Sequence, residues 1–256
     1  ISSVWRLTRI TDVYGITSEF TYSTNDFIDS LTTPYGTTRF ATATVSGRQY
    51  WLEATDPQGA KEHLEYVDNG TSLGLAGSES AAPTNMTVAN SFLNYRNSFY
   101  WDKKAMQEFP GDYSKARISH WLHTADHQNA SGTMESEKSP LEGRVWYNYP
   151  GQSAAYDMGT NSRPSAIGRV LDDGSSQVTK LEYNPLGKPT KLTDPVSRIS
   201  TFTYDTNLVD LLEVRQQIGT NASNTELLSK FTYNTNHLPL TSIDAAGQTN
   251  RMGYNA

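Results

Sequence analysis

A spacing of aspartate, a small residue and tyrosine recurs along this chain and constrains its fold more than any other feature. In each copy Asp precedes Gly or Ser by three residues and Tyr by ten. Regular recurrence indicates one structural unit used repeatedly. The copies are Asp12 with Gly15 and Tyr22, Asp56 with Gly59 and Tyr66, Asp173 with Ser176 and Tyr183, Asp194 with Ser197 and Tyr204, and Asp244 with Gly247 and Tyr254.

The spacing is that of a β-turn followed by a strand. Asp at the first position of a turn accepts a hydrogen bond from the backbone two residues on, and Gly suits the fourth position. Counting back two residues from each Tyr reaches a large apolar side chain, so both side chains share one face of the strand. We expect the tyrosines to be buried on that face. The apolar partners are Phe20, Leu64, Leu181, Phe202 and Met252, and Phe231 has the same place before Tyr233.

A second strand is predicted after each Tyr, because turns rich in Asn and Gly follow, as in 183–187 and 233–236. Strands joined in this way are antiparallel hairpins. We therefore predict an all-β chain of antiparallel β-hairpin repeats. The composition agrees, since 15 Tyr against 8 Phe and a hydrophobic share of 36% fit sheets with one wet face.

The repeats divide the chain into three sections. Residues 1–66 and 165–256 carry the regular repeat, and residues 67–164 are predicted to be an irregular middle with long loops. Within that middle we predict strands at 98–101, 116–123 and 144–149, and a short helix at 103–109. Because the chain opens on Ile and has no leader pattern, we expect it to be an internal segment of a longer protein.

Charge and composition exclude several functions. A net charge of −6 argues against nucleic acid as a partner. The sequence has no apolar run of 18 residues, so no membrane span is predicted. Without cysteine there is no disulfide framework and no Cys-ligated metal site.

Three of the five histidines, His120, His123 and His127, lie within eight residues. On a helix they would share a face and could bind a metal ion. The surrounding Arg117–His123 alternates as a strand does, which would send His120 and His123 to opposite faces. We therefore predict no metal site and no cofactor.

The aromatic residues allow two interpretations. Trp and Tyr could form stacking platforms for sugars, or they could pack the sheet in the ordinary way. The regular phase of the tyrosines favours packing. The tryptophans are Trp5, Trp51, Trp101, Trp121 and Trp146. A Gly-x-Ser-x-Gly motif is absent from the sequence, and we predict no catalytic residue.

Tyr is followed by Asn or Asp in four repeats, at 183–184, 204–205, 233–234 and 254–255. With the Asp turn ten residues before, this pair resembles the motif of RHS/YD-repeat proteins over residues 8–66 and 173–256. The resemblance implies a spiralling, curved β-ribbon that closes into a hollow shell. The family includes bacterial polymorphic toxins, toxin-complex components and teneurins, and in the toxins the shell encloses a C-terminal effector. Asp-Pro occurs only in the repeat turns at Asp56 and Asp194, so the self-cleaving residues of some members are not carried over.

The leading expectation is therefore a non-catalytic segment of an RHS/YD shell, secreted or at the cell surface. Its partners would be the rest of the shell and an enclosed effector. The alternative is an adhesive β-module that binds carbohydrate or another partner. A hydrolase with an unfamiliar site is a third hypothesis.

Overall fold

The computed structural model describes residues 5–24, 26–45, 48–79 and 81–255. The predicted fold class is confirmed, because these residues form 18 strands, one α-helix and two 3₁₀ turns. Strands β1 to β9 are Arg9–Thr11, Thr17–Tyr22, Ile28–Thr33, Gly36–Thr44, Gln49–Thr55, Lys61–Asn69, Tyr95–Trp101, Arg117–His123 and Ala130–Lys138. Strands β10 to β18 are Val145–Asn148, Ala166–Val170, Ser176–Tyr183, Pro189–Thr193, Ile199–Tyr204, Leu211–Gln217, Thr225–Tyr233, Pro239–Asp244 and Thr249–Arg251. Helix α1 is Lys103–Glu108, and the 3₁₀ turns are Thr71–Leu73 and Tyr113–Lys115.

The chain divides into two compact units. Unit 1 comprises Ile1–Ser80 and Asn90–Arg144, and unit 2 comprises Ala81–Ala89 and Val145–Ala256. In unit 1, strands β1 to β9 pair antiparallel in chain order. In unit 2, strands β10 to β18 do the same. Each unit is therefore a meander of hairpins.

The middle of the chain continues this meander. The strands predicted there are confirmed as β7, β8 and β10, and the predicted helix as α1. Strand β9 was not predicted, because Ala130–Lys138 consists of small and charged residues with Met134 as its one large apolar side chain. The boundaries of the two units differ from the three sections drawn from the sequence.

One face of unit 1 is covered. Its core consists of Val67, Phe99, Trp101 and Ala116, against which the residues of two connecting segments pack. The covering side chains include Leu73 and Leu75 from the loop after β6, and Met106 and Tyr113 from the segment after β7. The Trp101 indole N–H donates to the Asp112 carbonyl at 2.9 Å, which ties the second segment to the sheet. Burial of these large side chains stabilises this face by the ordinary hydrophobic effect.

Unit 2 contains a stretch with no such core. Between residues 189 and 244, all of which the structure describes, only Asp210 is buried. The apolar side chains of β13 to β17 are half-buried or exposed. A single sheet with both faces partly wet gains little from apolar burial, so its geometry depends on strand pairing and turns.

The turns of the repeat share one geometry. In the turn that joins β17 to β18, Asp244 Oδ1 accepts from the amides of Ala246 and Gln248, each at 2.9 Å. The Gly247 amide donates to the Asp244 carbonyl at 3.0 Å, and Gly247 has a φ of 79°. This is a three-residue hairpin loop that ends in a left-handed residue. The same two side-chain bonds form at Asp12, Asp56, Asn184, Asp194 and Asn234.

The Asp173 copy departs from the predicted turn. The turn there begins at Leu171, whose carbonyl accepts from the Gly174 amide at 2.9 Å. Gly174 has a φ of 81° and so takes the left-handed position. Since glycine adopts this conformation without steric cost, it shifts the turn two residues towards the N-terminus. Asp173 Oδ1 then accepts from the amide and hydroxyl of Ser175.

The turn geometry predicts the response to substitution at Asp244. Asp244→Ala removes both side-chain bonds and should destabilise unit 2 by about 1–2 kcal/mol. Asp244→Asn should stay within about 0.5 kcal/mol of the wild type, because Asn184 and Asn234 hold the same turn. Chemical denaturation of the two variants measures the difference. Equal stability of the Ala and Asn variants would contradict the assigned role of the carboxylate.

Candidate functional site

Four repeat tyrosines lie at the same irregularity of their hairpins. The pairing register shifts between each tyrosine and the residue before it, because the partner strand, β3, β13, β15 or β17, carries one extra residue there. A β-bulge bends a strand and increases its twist. The hairpins are therefore bent at one repeated position. These tyrosines are Tyr22, Tyr183, Tyr204 and Tyr233.

Repeat tyrosine hydroxyls also tie strands together. Tyr22 donates to the Leu7 carbonyl at 2.8 Å, ahead of β1, and Tyr183 donates to the Pro164 carbonyl at 2.8 Å, ahead of β11. Burial raises the pKa of Tyr183, which keeps its hydroxyl protonated as a donor. Each such tyrosine therefore closes the open end of its hairpin.

Two repeat tyrosines are placed differently. Tyr66 lies inside β6, not at its end, and its hydroxyl donates to Asp68 at 3.0 Å. Tyr254 lies beyond β18, is 45% exposed, and donates to the Pro239 carbonyl at 2.7 Å. The other repeat tyrosines are half-buried. The prediction that the repeat tyrosines are buried is therefore wrong. Their contribution is therefore hydrogen bonding and partial packing.

A buried ion cluster lies in unit 1 and was not predicted. Glu135 is 1% exposed, and its Oε2 lies 3.1 Å from His120 Nε2 and 3.5 Å from Arg96 Nη2. His120 Nδ1 lies 3.1 Å from Asn97 Oδ1. Buried charges are costly unless they are paired. Here Glu135 Oε2 faces Arg96 and His120, whereas Glu135 Oε1 and His120 Nε2 are buried without a hydrogen bond.

The backbone is distorted to form this cluster. Arg96 has a φ of 51°, although the register of β6 and β7 is the same on either side of it, with Val67 opposite Asn97 and Asn69 opposite Tyr95. A left-handed φ is strained for a side chain of this size. Three contacts hold it, because Arg96 Nε donates to the Trp121 carbonyl at 2.8 Å, while Nη1 and Nη2 reach His123 and Glu135.

The histidine segment is a strand, as predicted, but its alternation is interrupted. Register shifts on both sides of Trp121 break the simple two-residue period of β8. His120 and His123 consequently contact the same cluster, one through Glu135 and the other through Arg96. His127 lies in the following turn. Among the described residues, no group of three His, Cys, Asp or Glu side chains is placed to hold a metal ion.

The tryptophans occupy unlike environments. Trp101 and Trp146 are buried, whereas Trp5 is 96% exposed. Trp51 stacks on His63 with ring centroids 5.6 Å apart. Trp121 is half-buried, and its indole N–H donates to Ser98 Oγ at 2.9 Å. They therefore do not form one common platform.

Unit 2 holds a second polar cluster at the end of two hairpins. Asp210 Oδ2 lies 2.9 Å from His237 Nδ1 and accepts from the Asn207 side chain at 2.7 Å. The hydrogen bond with His237 holds the pKa of Asp210 below its usual value. The cluster joins neighbouring loops, so its arrangement suits a structural link.

The ion cluster predicts a large difference between two neighbouring glutamates. Glu135→Gln leaves Arg96 buried without its counterion and should cost about 3–5 kcal/mol of unfolding free energy. Glu137→Gln removes an exposed pair with Arg117 and should cost at most about 1 kcal/mol. Denaturation followed by tryptophan fluorescence compares them. Similar losses in both variants would show that the cluster is not desolvated as described.

No protein-family model matches the sequence, and no curated protein matches it. Solved structures do match. The alignment with the crystal structure of TcdB2–TccC3–Cdc42 covers 96% of this chain and 12% of the matched chain, at 10% identity and a TM-score of 0.53. The alignment with the crystal structure of TcdB2–TccC3–TEV covers 93% of this chain and 12% of the matched chain, at 12% identity and a TM-score of 0.48. The alignment with the Tc holotoxin pore of Photorhabdus luminescens covers 94% of this chain and 16% of the matched chain, at 11% identity and a TM-score of 0.32.

These likenesses concern the fold. The match to TcdB2–TccC3–Cdc42 has a TM-score above 0.5, and this chain spans 12% of that chain's length. Within the described residues, no helix has the length and apolar character needed to cross a membrane. Toxin-complex components are among the RHS/YD-repeat proteins that the sequence resembles. The resemblance to RHS/YD-repeat proteins is thus confirmed at the level of the fold.

Proposed function

We propose that this chain is a non-catalytic structural segment of an RHS/YD-repeat shell. The observation that carries the proposal is the stretch 189–244, a hairpin sheet in which only Asp210 is buried. An ordinary domain packs its sheet against a second layer. A sheet built to be one layer thick is suited to be a wall.

The repeated turns and bulges support this role. Six Asp or Asn side chains fix their hairpin loops with the same pair of bonds. Four bulges bend the hairpins at the same position. Repetition of one bend is what a spiral ribbon requires, because bulges add twist and curvature in a fixed sense. In this proposal the chain contributes rigid geometry and no chemistry.

The proposed partners are the flanking parts of the shell and an effector that the shell encloses. Strand β1 pairs with β2, and β18 pairs with β17. All residues of β1 and β18 are exposed. In a shell each of these strands would also pair with a strand of the adjoining repeat. We place the shell outside the cell, either secreted around a toxin or as a surface scaffold.

Hydrogen exchange tests whether β1 and β18 pair with strands of adjoining repeats. The measurement compares amides of β1 and β18 in the 256-residue chain with the same amides in a longer polypeptide that includes the flanking sequence. We expect slower exchange in the longer chain, because pairing protects edge amides. Strand β14, already paired on both sides, serves as the internal control. If the amides of β1 and β18 exchange equally fast in both chains, the proposal of a shell segment is wrong.

A further inference from the structure

A cavity of about 480 Å³ lies in unit 1, on the face of the sheet that the two connecting segments cover. Both segments line it with small residues, which leave the space between them unfilled. These residues are Gly74, Ala76, Gly111 and Ser114. The volume is within the range of small-molecule sites.

The floor of the cavity is apolar. Phe99, Leu93 and Ala116 line it and are buried. Ile118 lines it beside them and packs against the same core. Water above such a floor finds few hydrogen-bond partners, so an apolar ligand that replaces it gains free energy through the hydrophobic effect.

One end of the cavity is positively charged. Lys138 pairs in register with Ile118, which places both side chains on the same face of the sheet. Lys138 Nζ lies 3.6 Å and Arg144 Nε 3.2 Å from the same Glu79 oxygen, Oε1. The Arg144 side chain is only 5% exposed, and its Nη1 donates to Ser136 Oγ at 3.0 Å. Two cations share one carboxylate at this end, so its net charge is positive.

Asp112, a further acidic residue that lines the cavity, has partners of its own. Its Oδ1 accepts from the hydroxyl and the amide of Ser114, at 2.7 and 2.9 Å. These bonds, with the charge of Lys115 beside them, hold the pKa of Asp112 below its usual value. The carboxylate of Asp112 is thus held on the segment after β7, whereas the two cations lie at and beyond the end of β9.

A strained leucine lies at the rim. Leu141 lines the cavity and yet is 99% exposed. It is the third residue of a turn in which the Glu142 amide donates to the Ser139 carbonyl at 3.2 Å, and its φ is 66°. A left-handed third position usually carries Gly, and leucine is strained there. The turn therefore holds an apolar side chain in water beside the cavity, and such strain is common at ligand sites.

We propose that this cavity binds a small carboxylate with an apolar tail, such as a medium-chain fatty acid. The tail would lie on Phe99 and Ala116, and the carboxylate would pair with Lys138 in a charge-assisted hydrogen bond. Leu141 would cover the tail at the rim. The juxtaposition of an apolar floor with an unequal set of charges carries the proposal.

Other small ligands fit this cavity less well. An alkylammonium ion would meet Lys138 and Arg144 with a charge of the same sign. A small anion without a tail would leave the floor in contact with water. The cavity thus selects for both ends of the ligand.

Isothermal titration calorimetry of the 256-residue chain with octanoate and decanoate tests the proposal. We expect one or both acids to bind at least about tenfold more tightly than acetate or octylammonium. Lys138→Gln should weaken binding of the acid by about tenfold and leave binding of octan-1-ol unchanged, because it removes only the charge. Lys104→Gln is the matched control, since Lys104 is exposed and lies outside the cavity.

Leu141→Gly separates binding from stability. Because glycine suits a left-handed φ, this variant should unfold at the same denaturant concentration as the wild type or at a higher one. It should nevertheless weaken octanoate binding by about threefold or more, since the tail loses its cover. Unchanged binding would show that Leu141 is not part of the site.

Three results would overturn the inference. One is that neither acid binds at millimolar concentration. Another is that acetate or octylammonium binds as tightly as the two acids. The last is an affinity for octanoate that Lys138→Gln leaves unchanged. The proposed shell role rests on the stretch 189–244 in unit 2 and does not depend on the outcome.

Discussion

The hydrogen bonds from one Asp or Asn side chain to two backbone amides at the hairpin turns are the interaction on which this structure depends. Each such turn fixes its first residue and the residue four positions later as a closing pair, as at Asp194 and Arg198. The closing pair sets the register of both strands. A slip by one residue would turn every side chain to the opposite face. Where a sheet lacks a deep core, few other forces would prevent that slip.

The two units combine these turns with different amounts of side-chain packing. In unit 1 the sheet also has a covered face, with Phe99 and Trp101 buried beneath connecting segments. The Arg96–Glu135–His120 cluster is buried in the same unit, and its contacts hold the local distortion at Arg96. In unit 2 the stretch 189–244 has no equivalent cover. Its strands rely on turns, bulges and half-buried side chains such as Phe202 and Tyr204.

Much of this fold could be predicted from the sequence because its determinants are local. Asp and Gly at fixed offsets specify a turn, and alternation specifies the strand that follows. The Asp173 copy shows the limit, since two turn signals compete there. Gly174 takes the left-handed position, whereas at Asp194, with no glycine nearby, Ser197 takes it with a φ of 65°. Reading the position of glycine before that of aspartate would have given the correct turn.

The features that the sequence did not reveal depend on distant contacts. Nothing near Arg96 signals its left-handed backbone, because the groups that hold its side chain come from β8 and β9. The partial burial of Tyr204 and Tyr233 depends on the absence of a second layer over β13 to β17, which no single repeat encodes.

Amide hydrogen exchange, measured over residues 189–244 and over strands β7 and β8 in the wild type and in Asp194→Ala, tests the central claim most directly. If turn bonds hold the register of a thin sheet, loss of one turn should weaken protection throughout the strands that flank it, β13 and β14. Strands β7 and β8, under the covered face, should keep theirs. Loss of protection confined to Val196 and Arg198, with β13 and β14 unchanged, would contradict the account.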